Sequence, residues 1–436
     1  MSGKTILVWF RNDLRIHDNE ILLEATRKAD KVLPVYCFDP FYFSTTAYGL
    51  QKTGGVRTRF LLESVADLRL NLRKLGGELV IVTGDPAELI PQLAQQYQVS
   101  EVYHHREVAV QETAISEAVE TALWKIKLNL RHFIGHTLYH KEDLPFPIKD
   151  IPDSFTLFKK KIERDSNVRP CFETPGRIET PEIAEPGPLP SYAELGISPP
   201  FDDSRADFQY QGGETTALQQ MHRYIQMLDH SPQPKNAKYH TDNPSRLSAW
   251  ISLGCLSQRI IYHEAMKLTQ GTNASGSTLI IELLWRDYFR FMFKKYGRQF
   301  FNAEGFKTEA PEAAVNQHCL FEQWTQGHTG VPYIDAAIHE LNATGYINNF
   351  KRQAVAAFLV NNLKVEWLKG AAFFEEKLID YSPASNWGNW AFIAGVANDT
   401  RDDRYFPGAK QAAKLETDSD FINTWLADSS SELIIA

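Results

Sequence analysis

The sequence is poor in cysteine and has no long apolar run. Its four cysteines, Cys37, Cys171, Cys255 and Cys319, stand far apart with no paired spacing. That argues against a disulfide framework and a thiolate zinc site, and leaves reduced, buried thiols as the expectation. No stretch approaches the roughly 18 uninterrupted apolar residues of a membrane-spanning helix, so no membrane partner is expected. The start, MSGKTILVWFRNDLR, has an apolar run too short for a secretory leader and meets Arg11, Asp13 and Arg15 too soon; a cytoplasmic protein is the expectation. Catalytic signatures are missing too. No G-x-G-x-x-G follows the first apolar run, and there is no P-loop, HExxH, G-x-S-x-G or CxxC, which removes the obvious dinucleotide, zinc-protease, serine-hydrolase and dithiol readings. Nor does basic charge dominate: 46 Lys+Arg against 54 Asp+Glu in 436 residues give a net charge of −8. Nucleic-acid binding over the whole surface is thereby disfavoured. A local groove stays open, because residues 246–410 hold 17 basic and 16 acidic side chains.

What is present is an average globular composition, 43% hydrophobic and 23% charged, with aromatics at 12% and 9 Trp. The first 140 residues alternate short apolar runs with amphipathic segments, the pattern of a parallel sheet covered by helices. Strands are predicted at 6–10, 31–38, 78–83, 101–104 and 131–134, and helices at 19–29, 58–75, 86–96 and 110–128. Between 166 and 205 the chain carries 8 of its 22 prolines, which predicts a linker wrapped over the surface. Beyond Gly213 apolar residues recur at three-to-four spacing, predicting helices over 214–229, 245–269, 277–298, 331–343, 346–364 and 370–379. The expected organisation is a doubly wound α/β domain over 1–140, a linker over 141–212, an all-α domain over 213–428 and a short tail at 429–436.

Several constellations in the second half could carry chemistry. In I-I-E-L-L-W-R-D-Y, Glu282 lies three residues before Trp285 and four before Arg286, so one helical side can present a carboxylate with both. This is either an exposed ion pair beside a core indole or a surface for a planar polar ligand, since indoles stack on bases at roughly 1–3 kcal/mol each. Asn348, Asn349 and Arg352 open a predicted helix whose rear is Ala, Val and Phe; the amides either cap it or bind a ligand. The stretch Asp380–Phe392 reads as a loop crowded with Asn386, Trp387, Asn389 and Trp390. With Trp367 upstream it is either a redox-capable indole cluster or Trp-rich core. Finally, Ser245-Arg246-Leu247-Ser248 puts two hydroxyls and a guanidinium at a predicted helix start, a natural anion site.

Together these pieces resemble the photolyase/cryptochrome flavoprotein family, and most closely its DASH branch. The likeness begins at V-W-F-R-N-D-L-R-I-H-D-N (Val8–Asn19), returns at R-P-C-F (Arg169–Phe172) and Q-G-G-E (Gln211–Glu214), and is densest from Ser245 to Phe406. There it includes E-L-L-W-R-D-Y-F-R-F, T-G-V-P-Y-I-D-A-A-I-H-E-L-N-A-T-G, L-I-D-Y and S-N-W-G-N-W. The resemblance implies an FAD in the helical domain that absorbs blue light and passes an electron to a pyrimidine dimer flipped out of DNA. Carried over, Ser245, Arg246, Leu247 and Ser248 would hold the diphosphate with Arg286. Asn349, Arg352, Asp380 and Ser382 would line the isoalloxazine. Asn386 would face flavin N5, adding no negative charge beside a reduced ring. Glu282 would bind the damaged pyrimidines, Trp285 would stack on them and Phe392 would form another wall. Because flipping costs least in single strands, single-stranded DNA is the expected substrate.

Departures from the family pattern point the other way. The photoreduction chain implied through Trp390 and Trp367 usually ends on a third, surface Trp, but counting back from Trp324 places Ala314 there. Phe350 replaces a usual Arg near the DNA backbone, Ser382 a usual Asp at the flavin, and Pro244 a hydroxyl residue. Tyr239 is the nearest candidate for a further FAD-contacting Tyr. Glu112 matches a glutamate that contacts a folate in related proteins, which leaves a 5,10-methenyltetrahydrofolate antenna open. The chain stops soon after F-I-N-T-W-L (Phe421–Leu426), so no signalling extension is expected. Two readings follow. One is a light-driven lyase for cyclobutane dimers; the other is a cryptochrome-type photoreceptor with little repair and an unidentified signalling partner. Photochemistry on 6-4 lesions would want a His where Asn348 and Asn349 stand.

Overall fold

The computed structural model describes residues 3–230, 245–269, 274–397 and 419–426. The chain packs as two units. One comprises Met1–Phe43, Thr58–Ile197 and Gln211–Gly297; the other comprises Ser44–Arg57, Ser198–Tyr210 and Arg298–Ala436. Packing therefore groups the helices up to Gly297 with the sheet, a division that does not follow the sequence boundary at 212/213.

In the first unit, Thr5–Phe10 (β1), Lys31–Phe38 (β2), Val80–Thr83 (β3), Glu101–His105 (β4) and Leu130–Phe133 (β5) form one sheet of order β3-β2-β1-β4-β5. All its pairings are parallel, with Val8 opposite Pro34 on one side and Tyr103 on the other. Every residue of β1 is buried, because helices cover both faces of such a sheet. The covering helices are Glu20–Lys28 (α1), Gly55–Lys74 (α2), Pro86–Gln96 (α3) and Val110–Lys125 (α4). Their starts follow local chemistry. Asn19 Oδ1 accepts from Leu22 N at 3.2 Å to cap α1, and Asp85 accepts from Ala87 N at 2.8 Å to cap α3, with Pro86 in its first turn.

The proline-rich segment is bonded to the sheet. Glu179 O accepts from Val32 N at 2.8 Å and Pro186 O from Ile81 N at 2.7 Å, which satisfies edge groups that would otherwise face water. Gly187 has φ +78, and a Cβ there would lie 2.1 Å from Ile81 O, so no other residue fits. Inside the expected linker stands an unforeseen helix, Phe155–Asp165 (α5), with Phe155, Phe158 and Ile162 buried. The remaining helices of this unit are Glu214–His230 (α6), Ser248–Ser252 (α7), Gln258–Thr269 (α8) and Ala274–Tyr296 (α9). The single helix predicted over 245–269 is in fact two. Gly254 breaks it at φ +66, where a Cβ would sit 1.9 Å from Asn12 O.

Residues from motifs that carry the resemblance, Asp18, Phe172 and Glu214, knit this unit. The Asp18 carboxylate accepts from Arg259 at 2.6 and 2.9 Å, from Phe172 N at 2.8 Å and from the Ser257 hydroxyl. Glu214 accepts from the backbone N–H of Ile16 and His17, each at 2.9 Å.

The second unit contains Gln317–Gln326 (α10), Pro332–Thr344 (α11), Asn349–Ala357 (α12), Trp367–Lys377 (α13), Pro383–Ile393 (α14) and Ser419–Leu426 (α15). The helix expected over 346–364 is shorter: α12 starts after Asn348 and runs into one π turn, Phe358–Asn362. The loop expected over 380–392 is largely α14. Asn, Gly and Trp are mediocre helix formers, but Pro383 opens this helix and burial of Asn386, Trp387, Gly388 and Trp390 holds it.

Only Cys37 and Cys255 are buried; Cys171 is half-buried and Cys319 exposed, which corrects the expectation for two of the four thiols. Among the described residues there is no group of side chains placed to hold a metal ion, and no helix is long and apolar enough to cross a membrane. Tyr239, Pro244 and the tail at 429–436 lie outside the described residues.

Candidate functional site

The candidate residues fall in both units, and each group is built by its own elements. In the first unit α7 is a single short helix, with Leu247 as its N-cap and no side-chain cap bond. Ser245 Oγ accepts from Leu247 N at 3.5 Å, and Arg246 adopts φ +56, a strained turn for a non-glycine residue. The two serines thus flank a tight turn rather than opening a long helix. Arg286 on α9 donates to Ile251 O at 3.2 Å, at the far end of α7.

Further along α9, Trp285 stacks on Phe155 of α5, with ring centroids 3.6 Å apart and planes 10° apart, and meets Tyr288 edge-on at 5.7 Å. The indole is half-buried, and Glu282 one turn earlier is exposed. Surrounding protein nonetheless crowds the Glu282 carboxyl, and that desolvation pushes its pKa up to about 7. Water reaches the residue while its charged form is under-solvated. A carboxyl of this kind can donate a hydrogen bond near neutral pH.

In the second unit Arg352 on α12 donates to Asp380 Oδ2 at 2.9 Å and to Ile347 O at 2.7 Å, with Tyr346 under its guanidinium at 5.2 Å. Asp380 is 9% exposed, and its second oxygen, Oδ1, is buried without a hydrogen-bond partner. Such an acceptor beside a cation suits a ligand N–H. Asn348 caps α12 through Lys351 N at 2.9 Å, so the capping reading holds for that amide, whereas Asn349 is exposed and Phe350 half-buried. Ser382 precedes α14 and is buried. Asn386, also buried, donates from Nδ2 to Ala371 O of α13 at 2.9 Å, which fixes the direction of its amide.

Both indoles expected to carry electrons are core residues. Trp390 and Trp367 are each 2% exposed. Trp367 donates to Ala303 O at 2.9 Å, while Trp390 lies on Gly370, where a Cβ would come within 2.3 Å of its ring. Trp387 stands 6.2 Å from Trp367 and Trp324 stands 6.4 Å from Trp390, centroid to centroid. Phe392 is half-buried. Ala314 donates its N–H to Lys364 O at 2.8 Å and offers no ring.

At the carboxyl ends of β1 and β4, the switch point where an open α/β sheet binds ligands, the first unit buries charges of its own. Asp13 pairs with His105 at 2.7 Å, Glu107 with Arg290 at 2.9 Å, and Arg11 donates to Ser116 at 2.8 Å and Tyr42 at 3.0 Å. Glu112, the residue matched to a folate contact, is buried and accepts from Ala109 N in its own helix at 3.4 Å. Burial and the neighbouring Glu107 raise its pKa. Sequence reading missed this cluster because its members are scattered from Arg11 to Arg290 and only the sheet topology gathers them.

Comparison with known proteins gives the family of the chain. Residues 6–179 match the DNA photolyase family and residues 279–432 the FAD binding domain of DNA photolyase. A cryptochrome DASH of Gloeobacter violaceus is 42% identical over 434 residues, covering 98% of this chain and 86% of that protein. One from Natronomonas pharaonis is 43% identical over 429 residues, covering 97% and 90%. The chain belongs to the cryptochrome DASH family. The crystal structure of a Synechocystis cryptochrome matches this DASH fold with a TM-score of 0.90 at 40% identity, over 97% of this chain and 89% of that one. An archaeal photolyase from Sulfolobus tokodaii, solved with two FAD molecules, matches with a TM-score of 0.78 at 26% identity, over 97% and 90%. As a DASH cryptochrome the chain is an FAD flavoprotein, and the α/β-plus-helical fold expected from the sequence is the one observed. The matched FAD-binding segment takes in Glu282, Trp285, Arg286 and every candidate of the second unit, whereas Ser245–Ser248 lie before it.

Proposed function

We propose that this chain repairs cyclobutane pyrimidine dimers by light-driven electron transfer, preferably in single-stranded DNA. The observation that carries the reading is on α9: Glu282, with its carboxyl raised to about 7, one turn from the half-buried indole Trp285. A carboxyl that is partly protonated at neutral pH donates to a pyrimidine carbonyl, and the indole gives the flipped bases a stacking face. Bound FAD would supply the light absorption and the transferred electron.

The chain's own residues do the rest. Ser245, Arg246, Leu247, Ser248 and Arg286 would hold the diphosphate. Arg352 and Asp380, with Asn349 and Ser382, would hold the ring, the free oxygen of Asp380 accepting an N–H and the Arg352 cation offsetting added electron density. Asn386, its amide direction set by Ala371 O, would present its oxygen without a full negative charge. A folate antenna at Glu112 has less support, since that carboxyl already serves its own helix.

An acidic protein without a broad basic face favours single strands, where flipping costs least, and a cytoplasmic setting accords with this substrate. Phe350, in place of a phosphate-binding Arg, favours a second reading, a light sensor with little repair. The deciding assay is dimer loss from a single-stranded oligonucleotide under blue light with the flavin chemically reduced. Repair that Glu282→Ala abolishes, with flavin still bound, supports the lyase; no repair by the flavin-loaded wild type supports the sensor.

A further inference from the structure

We propose that Tyr381 is the terminal electron donor of this chain's indole relay, reached from Trp367 through Trp387, and that Glu375 accepts its phenolic proton. The inference rests on the reading that Trp390 and Trp367 carry electrons, and it answers what replaces the ring missing at Ala314.

Four contacts within the second unit support it. Trp387 meets Trp367 edge-on with ring centroids 6.2 Å apart. Trp387 Nε1 donates to the Tyr381 hydroxyl at 3.1 Å. Glu375, 6% exposed on α13, lies beside both rings, and polar contact with Tyr381 and Trp387 favours its charged form. The Arg57 guanidinium lies 4.6 Å from the Tyr381 ring centre. Exposure rises along the path, from Trp367 at 2% and Trp387 at 7% to the half-buried Tyr381, as a route that ends where solvent can reach it requires.

A Trp–Tyr contact made for packing alone has no use for a buried carboxylate, which costs free energy to desolvate. Here the carboxylate has a task. The Arg57 cation opposes positive charge on the phenol ring, so electron and proton must leave Tyr381 together. Lys52 and Arg57 favour the charged carboxylate, but burial outweighs them and raises the Glu375 pKa, making it a better proton acceptor.

The step balances as follows. A one-electron oxidant, the light-excited flavin in the reading above, leaves Trp367 oxidised, and Trp387 fills that vacancy. The phenol gives one electron to Trp387 while its O–H bond breaks and the proton passes to a Glu375 oxygen. The products are a neutral tyrosyl radical, a restored indole and a neutral carboxylic acid. An external thiol returns the electron, and Glu375 returns the proton.

The test is electron paramagnetic resonance of the flavin-loaded protein under blue light, comparing wild type with Trp367→Phe, Tyr381→Phe and Glu375→Gln. A tyrosyl signal is expected in wild type and is lost in all three variants, with Tyr381→Phe leaving a short-lived indole radical instead. A second readout needs neither light nor flavin chemistry: azide radicals from pulse radiolysis oxidise indoles, and passage of the radical onto tyrosine should be seen in wild type and lost in Tyr381→Phe. If Trp367→Phe silences the light-driven radical while Tyr381→Phe leaves its identity and lifetime unchanged, the tyrosine assignment is overturned. If Trp367→Phe changes nothing under light, the underlying relay reading fails instead, and the radiolysis result still judges the Trp387–Tyr381 step.

Discussion

Arg352 engages one oxygen of Asp380 at 2.9 Å and leaves the other buried without a partner. The pair is therefore structural on one side and open to a ligand on the other. Removing Arg352 strands the buried Asp380 charge, at a cost of about 3 kcal/mol, whereas removing Asp380 leaves the half-buried Arg352 unmatched. Asp380→Ala should lower the urea midpoint and release flavin during gel filtration, whereas Asp380→Asn should keep most of the stability and still lose flavin. Flavin absorbance per protein, read beside the unfolding curve, separates the two effects.

Glu282 gives a pH dependence with a defined sign. With its pKa raised from 4.5 to about 7, the folded chain binds more protons than the unfolded one between those values. Its contribution therefore favours the fold at low pH and fades as pH rises through that window. If the protonated form binds the lesion, affinity for a dimer-containing oligonucleotide should fall above pH 7, approaching about tenfold per pH unit. Glu282→Gln, a permanent donor, should bind with no such slope. A slope in the Gln variant equal to wild type would remove Glu282 as the titrating group.

Asn386 donates to Ala371 O from a buried position. In Asn386→Asp a carboxylate would face that carbonyl oxygen and lose the hydrogen bond, costing about 1–3 kcal/mol. The variant should melt earlier, and its flavin should become harder to reduce. Spectroelectrochemical titration reads the second effect, and an unchanged potential would place Asn386 away from the ring.

Gly370 tests how tightly the indole core is built. A methyl group there would meet the Trp390 ring at 2.3 Å and Leu359 at 2.5 Å, so Gly370→Ala should cost about 1–3 kcal/mol through overpacking. Shifted tryptophan fluorescence with a lower melting temperature is the expected result.

Much of the fold was legible because periodicity is local. β2 and α3 match the sequence reading to the residue, and Asn19, Asp85 and Pro86 mark helix starts by chemistry visible in the string. The reading failed where tertiary contacts override local preference. α14 is helical through burial of Trp387 and Trp390, and the predicted 245–269 helix breaks because Asn12, more than two hundred residues away, packs on Gly254. At the site, Arg352 and Asp380 were foreseen at one ligand by resemblance alone. The placement of Glu375 beside Tyr381 and Trp387 was not, since no spacing rule links a glutamate on one helix to rings before and within the next.

The way Asp18 ties Phe172, Ser257 and Arg259 together bears on how the chain folds during synthesis. These partners stand up to 241 residues downstream, and the sheet's unit takes in segments up to Gly297. Of the 436 residues, all those up to Arg259 must leave the ribosome before the Asp18 carboxylate has its full set of donors. Until then a deeply placed charge is unmatched, and the nascent N-terminal part depends on later residues for its stability. Stalled or truncated products ending in the proline-rich stretch should accordingly be sensitive to proteases, and chaperone demand should concentrate before Arg259 emerges.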